Sequence, residues 1–450
     1  MKLRLAILLA VTGLVLAQTP SKVTPIAFTD TTLDNGLRVI ISEDHFAPVY
    51  AIAVSYKVGS RDERNGRTGF AHLFEHMMFK GSENVGPGEH FYLIFTKGGS
   101  MNGTTNTDRT LYYEVMPKNQ LDLALFLESD RMRSLKVTQE NLDNQRQAVK
   151  EERRLGLDNQ PYGQTSERLD ELVYDNFAYH HSVIGSMADL DAASVSDVQQ
   201  FFRTYYAPNN AVLALAGDLN PQQTLAEVKK YFGAIPRQEP PKPVDLTEPE
   251  KKEERRARID DKLARLARID VVYRVPEATN ADARALSIAA SIMGSGESSR
   301  LYQKLVKEKE VASQAACFAD SRAGPSEWIV RAMIRPGRTP EEVEGLITEE
   351  VAKLSAEPVT DKELQRSRSS IRRSMLVGTR ESMLSTAISL ADNTALYNDP
   401  NRINTEYEKR LAVTAADIQK AARTYLRTAN RVVVTTVPAA APPAVPKKQD

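Results

Sequence analysis

The sequence predicts an α+β protein of mixed α/β layers, built as two related halves of roughly 200 residues each. Three observations point there. Short apolar runs with strand alternation are interleaved with long segments of helical periodicity. A stretch rich in proline and charge, residues 237–255, divides the chain. Finally, Asp197-Val198-Gln199, Arg203-Thr204-Tyr205 and Asn210-Ala211-Val212 recur as Asp417-Ile418-Gln419, Arg423-Thr424-Tyr425 and Asn430-Arg431-Val432, at a constant offset of 220 (417 − 197 and 430 − 210). In both copies an amphipathic helix ends in Arg-Thr-Tyr and an apolar strand follows a short turn.

Taken in order, the chain opens with Lys2 and Arg4 before an apolar run from Leu5 to Leu16, with Val15 and Ala17 at the small-residue positions of a signal-peptidase site. This predicts a signal peptide over 1–17 and export. At about 12 residues the run is shorter than the ~20 that span a bilayer, so no membrane span is expected after cleavage. The first half, 18–236, begins with a hairpin over Thr32–Ile41, with Asn35-Gly36 as a type I′ turn, followed by strands at Val49–Val58, Tyr112–Met116 and Ala211–Ala216. Leu121–Leu135 and Asn141–Leu155 have helical periodicity. After the linker, whose charge run offers almost nothing to bury, the second half, 256–437, starts with a strand at Arg268–Val275 and a helix at Asn280–Met293. It ends with a strand at Arg431–Val437. Residues 438–450 read as a disordered tail.

Lys+Arg 59 balances Asp+Glu 59, and 41% of the 450 residues are hydrophobic, which excludes a disordered chain and gives no general attraction to nucleic acid. The single cysteine, Cys317, excludes an intrachain disulfide.

The chemistry concentrates in His72-Leu73-Phe74-Glu75-His76. On a helix, two imidazoles four residues apart share one face and can reach one metal ion, a spacing that suits zinc. Glu75 borders the same face, where its carboxylate can address water rather than complete a coordination shell. Two histidines leave a catalytic zinc one protein ligand short, and Glu151-Glu152, on the periodic segment Asn141–Leu155, offers a carboxylate for it. His180-His181 reads as a surface turn. His45 and His90 receive no role, and no histidine follows His181, so the second half has no like site.

These motifs, with Leu33-Asp34-Asn35-Gly36-Leu37, Gly59-Ser60-Arg61-Asp62-Glu63 and Ser298-Ser299-Arg300-Leu301, resemble the insulinase/pitrilysin superfamily of inverted-motif zinc peptidases, in its processing-peptidase-like branch. The resemblance implies that the two halves form a clamshell around a chamber, with one Zn²⁺ per chain in the first half and a peptide substrate between them. It makes His72 and His76 zinc ligands and Glu75 the general base. It also selects Glu152 over Glu151 as third ligand, 76 residues beyond His76. Gly98–Thr105 resembles the family's substrate-binding edge strand, so Ser100, Asn102, Gly103 and Thr104 are expected to bind peptide main chain, with Gly103 where alanine is usual. Without the resemblance this stretch reads as a loop.

Two departures stand out. Gln145 occupies a position near the metal where relatives often carry glutamate. Val306 and Ser313 stand where self-sufficient members have an arginine and a tyrosine that bind substrate and stabilise the oxyanion. The expectation is therefore an exported zinc metalloendopeptidase, periplasmic or secreted, acting as the zinc-bearing subunit of a heterodimer whose homologous partner lacks the zinc motif. A homodimer is the second choice, and a scaffold or peptide-binding subunit without independent activity is the alternative function.

Overall fold

The computed structural model describes residues 24–380 and 382–439, so the expected signal peptide and nearly all of the tail lie outside the described residues. In the first half, strands β1 (Thr29–Thr32), β2 (Arg38–Glu43), β3 (Val49–Tyr56), β4 (Ser100–Thr105), β5 (Thr110–Pro117) and β6 (Ala211–Gly217) form one sheet in the order β1-β2-β6-β3-β5-β4. In the second, β7 (Arg255–Asp261), β8 (Arg268–Val275), β9 (Ala312–Asp320), β10 (Ser326–Ile334) and β11 (Arg431–Pro438) form another in the order β7-β11-β8-β10-β9. The helices of the first half are α1 (Phe70–Met77), α2 (Glu89–Thr96), α3 (Leu121–Ser134), α4 (Gln139–Arg153), α5 (Gly163–Val173), α6 (Met187–Asp191), α7 (Val195–Tyr205) and α8 (Pro221–Phe232). Those of the second are α9 (Ala281–Gly294), α10 (Pro340–Ala356), α11 (Asp361–Arg373), α12 (Met383–Tyr397), α13 (Arg402–Ala412) and α14 (Ala415–Tyr425).

Leaving β1 aside, the two sheets have one topology. β2-β6-β3-β5-β4 matches β7-β11-β8-β10-β9 strand for strand, with the parallel pair at the same place and every other pair antiparallel. The repeated residues make equivalent bonds. Ser194 and Thr414 cap α7 and α14 through reciprocal bonds with Asp197 and Asp417. Asn210 and Asn430 each return a side-chain amide to the carbonyl of the helix-terminal tyrosine, Tyr205 at 2.9 Å and Tyr425 at 2.8 Å. These bonds fix the turn from helix to central strand.

The α+β class and the two-half clamshell are as the sequence predicts, but the halves are interlocked. One face of the first sheet, carrying Ile40, Ala51, Ala53, Val212 and Ala214, is covered by Ala387, Leu390 and Ala391 of α12 from the second half. Reciprocally, Leu169, Val173 and Tyr174, on and just after α5, cover Val272, Ile329, Val432 and Val434 of the second sheet. Alanines on β3 and β6 bring α12 close to the sheet, and Leu390 is fully buried there. The opposite face of each sheet carries that half's own core.

Two local expectations are corrected. The Asn35-Gly36 hairpin exists, but its turn is not type I′, since Gly36 alone of the pair has positive φ (90°). Asn35 is buried and donates to the carbonyls of Phe232 and Ile235 at the end of α8, so the loop is shaped by tertiary bonds. The linker is anchored as well. Glu248 accepts from the amides of Asp175 and Asn176 and from Arg274, and the buried Lys251 donates to the Leu172 carbonyl at 2.7 Å. Glu248 and Lys251 thus find partners as they are buried, and Leu246 packs against the core shared by the two halves.

Candidate active site

Helix α1 is amphipathic at single-turn resolution. Phe70, Leu73, Phe74 and Met77 are buried at helical spacing, with the Phe74 ring 4.2 Å from that of Tyr206. Anchoring that stripe turns His72 and His76 to the other side, toward α4. The helix begins at Gly69, whose φ of 82° and close approach to Ile184 and Gly185 leave no room for a side chain. Gly69 therefore cannot cap the helix itself. Glu63 does so, accepting from the amides of Gly69 (2.9 Å) and Ala71 (2.8 Å). His181 Nε2 reaches the same carboxylate at 3.0 Å. His181 is thus a packed partner of the histidine helix, stacked on Phe177, and not the surface turn expected.

Helix α4, capped by Thr138, buries Leu142, Gln145 and Val149. Glu152 continues that stripe as it emerges into solvent beside the histidines. Its Oε1 lies 3.6 Å from His72 Nε2 and its Oε2 3.3 Å from His76 Nε2. Glu151 points elsewhere and pairs with Arg154 at 3.0 Å. Gln145 is buried on the same face, but its amide donates to Asn144 and to neither histidine nor Glu152, so its expected place beside the metal is not reflected in its bonding.

Ligands held tetrahedrally at about 2.1 Å from one ion stand about 3.4 Å apart. Each histidine stands about that far from one oxygen of the Glu152 carboxylate, at 3.6 and 3.3 Å, and one donor atom from each of the three residues lies within 4.8 Å of the others, so His72, His76 and Glu152 fit a zinc ion. Electrostatics agree. Burial, then the neighbouring His76, pushes the His72 imidazole down to about 4, against an opposing pull from Glu152, which leaves a neutral ring. The Glu152 carboxyl is held below its ordinary value, first by its contact with His76. His72 is mostly buried, whereas His76 and Glu152 side chains are 25% and 50% exposed, so the cluster opens to solvent on one side.

Glu75 is buried between α1 and β4. Thr105 Oγ1 donates to its Oε2 at 2.6 Å, and a Cβ placed on Gly103 would lie 3.1 Å from its Oε1 and Cγ. Glycine here gives the carboxylate room. Burial raises the Glu75 carboxyl above its ordinary value, and the Thr105 bond and His76 offset part of the rise.

The stretch that reads as a loop in isolation is strand β4, at the edge of its sheet. Ser100, Asn102 and Thr104 face outward, while Met101 and Gly103 are buried. Asn102 Oδ1 accepts from the Gly103 amide. Thr105 escaped sequence reasoning, although strand alternation puts it on the inward face with Gly103. Val306 is buried in the second core and Ser313 lies on β9. His90, Glu114 and Glu128 also bring donor atoms together, but there Arg131 already pairs with Glu128 and lies over the Tyr112 ring at 4.4 Å. In that buried cluster a guanidinium already supplies the cation for Glu128, and Glu114 lies against His90.

Comparisons with known proteins agree with this geometry. The model of the insulinase family, peptidase family M16, matches residues 38–185, and that of the peptidase M16 inactive domain matches 192–371. The chain is 30% identical to the zinc protease PqqE of Helicobacter pylori over 90% of this chain and 92% of that one. It is 27% identical to a probable mitochondrial-processing peptidase subunit beta of Arabidopsis thaliana over 59% of this chain and 50% of that one. Among solved structures, a protease from Helicobacter pylori superposes with a TM-score of 0.88 at 28% identity, covering 92% of this chain and all of that one. The periplasmic protease PqqL of Escherichia coli superposes at 0.76 and 18% identity, covering 92% of this chain but 49% of that chain, which shares the fold. With both family models matched in order and one relative aligned along nearly its whole length, the chain belongs to the insulinase family of peptidases, family M16.

Proposed function

We propose that this protein is an exported zinc metalloendopeptidase that hydrolyses peptides or flexible segments, and that it is the zinc-bearing subunit of a two-chain enzyme. The observation that carries the reading is the convergence of His72, His76 and Glu152, with donor atoms within 4.8 Å of one another, beside a buried Glu75. Zinc held by those three residues supplies a Lewis acid for a water molecule and for the scissile carbonyl. Glu75 takes the water's proton at Oε1, the oxygen that Thr105 leaves free, and passes it to the leaving amine. The β4 edge at Ser100, Asn102, Gly103 and Thr104 binds the peptide in extended form through main-chain hydrogen bonds, the Gly103 amide exchanging Asn102 Oδ1 for the peptide and the Thr104 carbonyl keeping Arg109.

Two further observations support a partner. The fold corresponds to about half of the PqqL chain, a length with room for a second unit of this kind. Val306 has no side-chain donor and the short Ser313 side chain turns its hydroxyl to the Met333 carbonyl, so neither replaces the arginine and tyrosine at an oxyanion, a contact worth on the order of 10²–10³ in rate. A homologous chain lacking the zinc motif but carrying the arginine and tyrosine makes up the deficit. Export rests on Lys2, Arg4 and the run Leu5–Leu16, with cleavage before Gln18.

The test is to purify the mature chain, assay bound zinc, and offer a mixed peptide library with and without chelator. Chelator-sensitive cleavage is expected, weak from the chain alone and raised by orders of magnitude by a co-purifying chain of similar mass. A chain that binds no zinc, or cleaves equally well with chelator present, contradicts the peptidase reading. Full activity as a monomer contradicts the two-chain reading.

A further inference from the structure

The interlock between the halves carries a pair of related ion pairs. Asp392, on the exchanged helix α12, meets Arg109, which leads into β5 from the hairpin joining it to β4, at 3.1 Å. Asp170, on the exchanged helix α5, meets Arg322, in the hairpin joining β9 to β10, at 3.4 Å. The aspartates are 222 residues apart (392 − 170), close to the offset of the internal repeat. Each half thus sends an aspartate to the edge hairpin of the other.

The two pairs differ in what lies beyond the arginine. Arg322 turns back to Asp320 at 3.0 Å and lies over the rings of Tyr174 and Tyr179, which makes it an interface anchor. Arg109 reaches forward. Its Nε rests on both oxygens of Asp392, which also accepts from Ser55 Oγ, while its Nη1 donates to the carbonyl (2.9 Å) and hydroxyl (2.8 Å) of Thr104. Thr104 immediately precedes Thr105, whose hydroxyl holds Glu75. A chain of contacts therefore runs from the second half to the carboxylate beside the histidines: α12, Asp392, Arg109, Thr104, Thr105, Glu75.

We infer that Asp392 and Arg109 are positioning residues for peptide hydrolysis, through which the second half fixes the β4 edge and, by way of Thr105, Glu75. The inference rests on the peptidase reading for its consequence in catalysis, but not for the fixing of the strand. A planar guanidinium is required because two directions must be served at once: one nitrogen takes the carboxylate and another takes Thr104. A lysine ammonium at the end of a flexible stem serves one of them at a time. Small misplacements at a reacting centre cost roughly 10- to 100-fold in rate, so the strand does not need to unfold for the effect to show.

The internal duplicate provides the control. Asp392→Asn, Arg109→Lys and Asp170→Asn are compared in the full chain with its zinc and its partner, each at the same interval below its own unfolding temperature. Two readouts are taken, kcat/KM on one library-derived peptide and hydrogen exchange of the amides of residues 100–105. Asp392→Asn and Arg109→Lys are expected to lower kcat/KM roughly 10- to 100-fold and to speed exchange in β4. Asp170→Asn is expected to lower the unfolding temperature while leaving both readouts within about twofold of wild type, since Arg322 makes no bond to β4 and keeps Asp320 and Glu327, while the contacts of Tyr179 and Ala323 with Asp108 in the β4–β5 hairpin do not pass through Asp170. If Asp392→Asn cannot be obtained folded, Arg109→Lys alone decides. Wild-type rates and β4 exchange in these variants overturn the inference, as does an equal loss in Asp170→Asn. A wild-type protein that cleaves no peptide defeats the peptidase reading, and the exchange readout then still decides whether Asp392 and Arg109 hold the strand.

Discussion

Replacing Glu63 by glutamine tests how the histidine helix is held. The Glu63 side chain has no exposed surface, and its carboxylate accepts three bonds, from Gly69 N, Ala71 N and His181 Nε2. Glutamine keeps one acceptor oxygen. In its better orientation that oxygen still serves Gly69 and His181, while the amide NH₂ faces the Ala71 N–H. One bond is lost, and a buried donor is left unpaired at a cost of about 1–3 kcal/mol. The two remaining bonds fall from the charged class, about 1.5–3 kcal/mol, to the neutral class, about 0.5–1.5 kcal/mol. A neutral amide is cheaper to bury than a carboxylate, which returns part of this. The net loss is about 3 kcal/mol. Because the interlocked halves unfold together as a unit of roughly 400 residues, each kcal/mol moves the midpoint by about 1 °C, so calorimetry should record a fall of about 3–4 °C. An unfolding temperature within about 1 °C of wild type would refute the assignment of Glu63 as the cap of α1.

Other expectations follow from the same contacts. Burial alone would lower the His181 imidazole, but its bonds to Glu63 and to backbone carbonyls outweigh that and raise it above its ordinary 6.5. The protonated ring then favours the folded state. Its contribution is complete below about pH 6.5 and is lost as pH climbs through the raised value, so denaturant titrations from pH 6 to 9 should show a decline that His181→Gln flattens. Ser194→Ala and Thr414→Ala remove equivalent caps in the two copies of the repeat and should each cost about 1 kcal/mol. A large disparity between them would show that the copies are not energetically equivalent. Leu390→Ala should destabilise by about 2–5 kcal/mol, because it opens a cavity between α12 and the first sheet.

The duplicated architecture was legible because its markers are local. Asp197 and Asp417 cap helices, Asn210 and Asn430 tie turns, and residues of this kind act within a few positions of themselves. The candidate site was legible for a related reason: His72, Glu75 and His76 come from one turn of one helix. Between Glu151 and Glu152 spacing alone could not choose, and the burial stripe Leu142, Gln145, Val149 shows why the choice falls on Glu152. What stayed hidden depends on long-range contact. The exchange of α5 and α12 leaves no trace in periodicity, since an apolar helix face reads the same whichever sheet it covers. The anchoring of the linker by Glu248 and Lys251 and the reach of Asp392 to Arg109 join residues far apart in sequence, while Glu63 caps α1 from six residues before Gly69, outside the position a capping residue ordinarily takes. Strand β4, in which Met101 is the one large apolar residue among serine, asparagine, glycine and threonine, takes its conformation from pairing with β5 and not from its own propensity.

The central claim, that this chain places a base beside a three-residue zinc site, is tested most directly by measuring zinc per chain and peptide hydrolysis together in wild type, Glu75→Gln and Glu152→Gln. The account predicts one zinc and chelator-sensitive cleavage in wild type. It predicts nearly full zinc with no cleavage in Glu75→Gln, whose amide cannot accept a proton, and depleted zinc in Glu152→Gln. Loss of zinc from Glu75→Gln, alongside retained zinc and activity in Glu152→Gln, would contradict it.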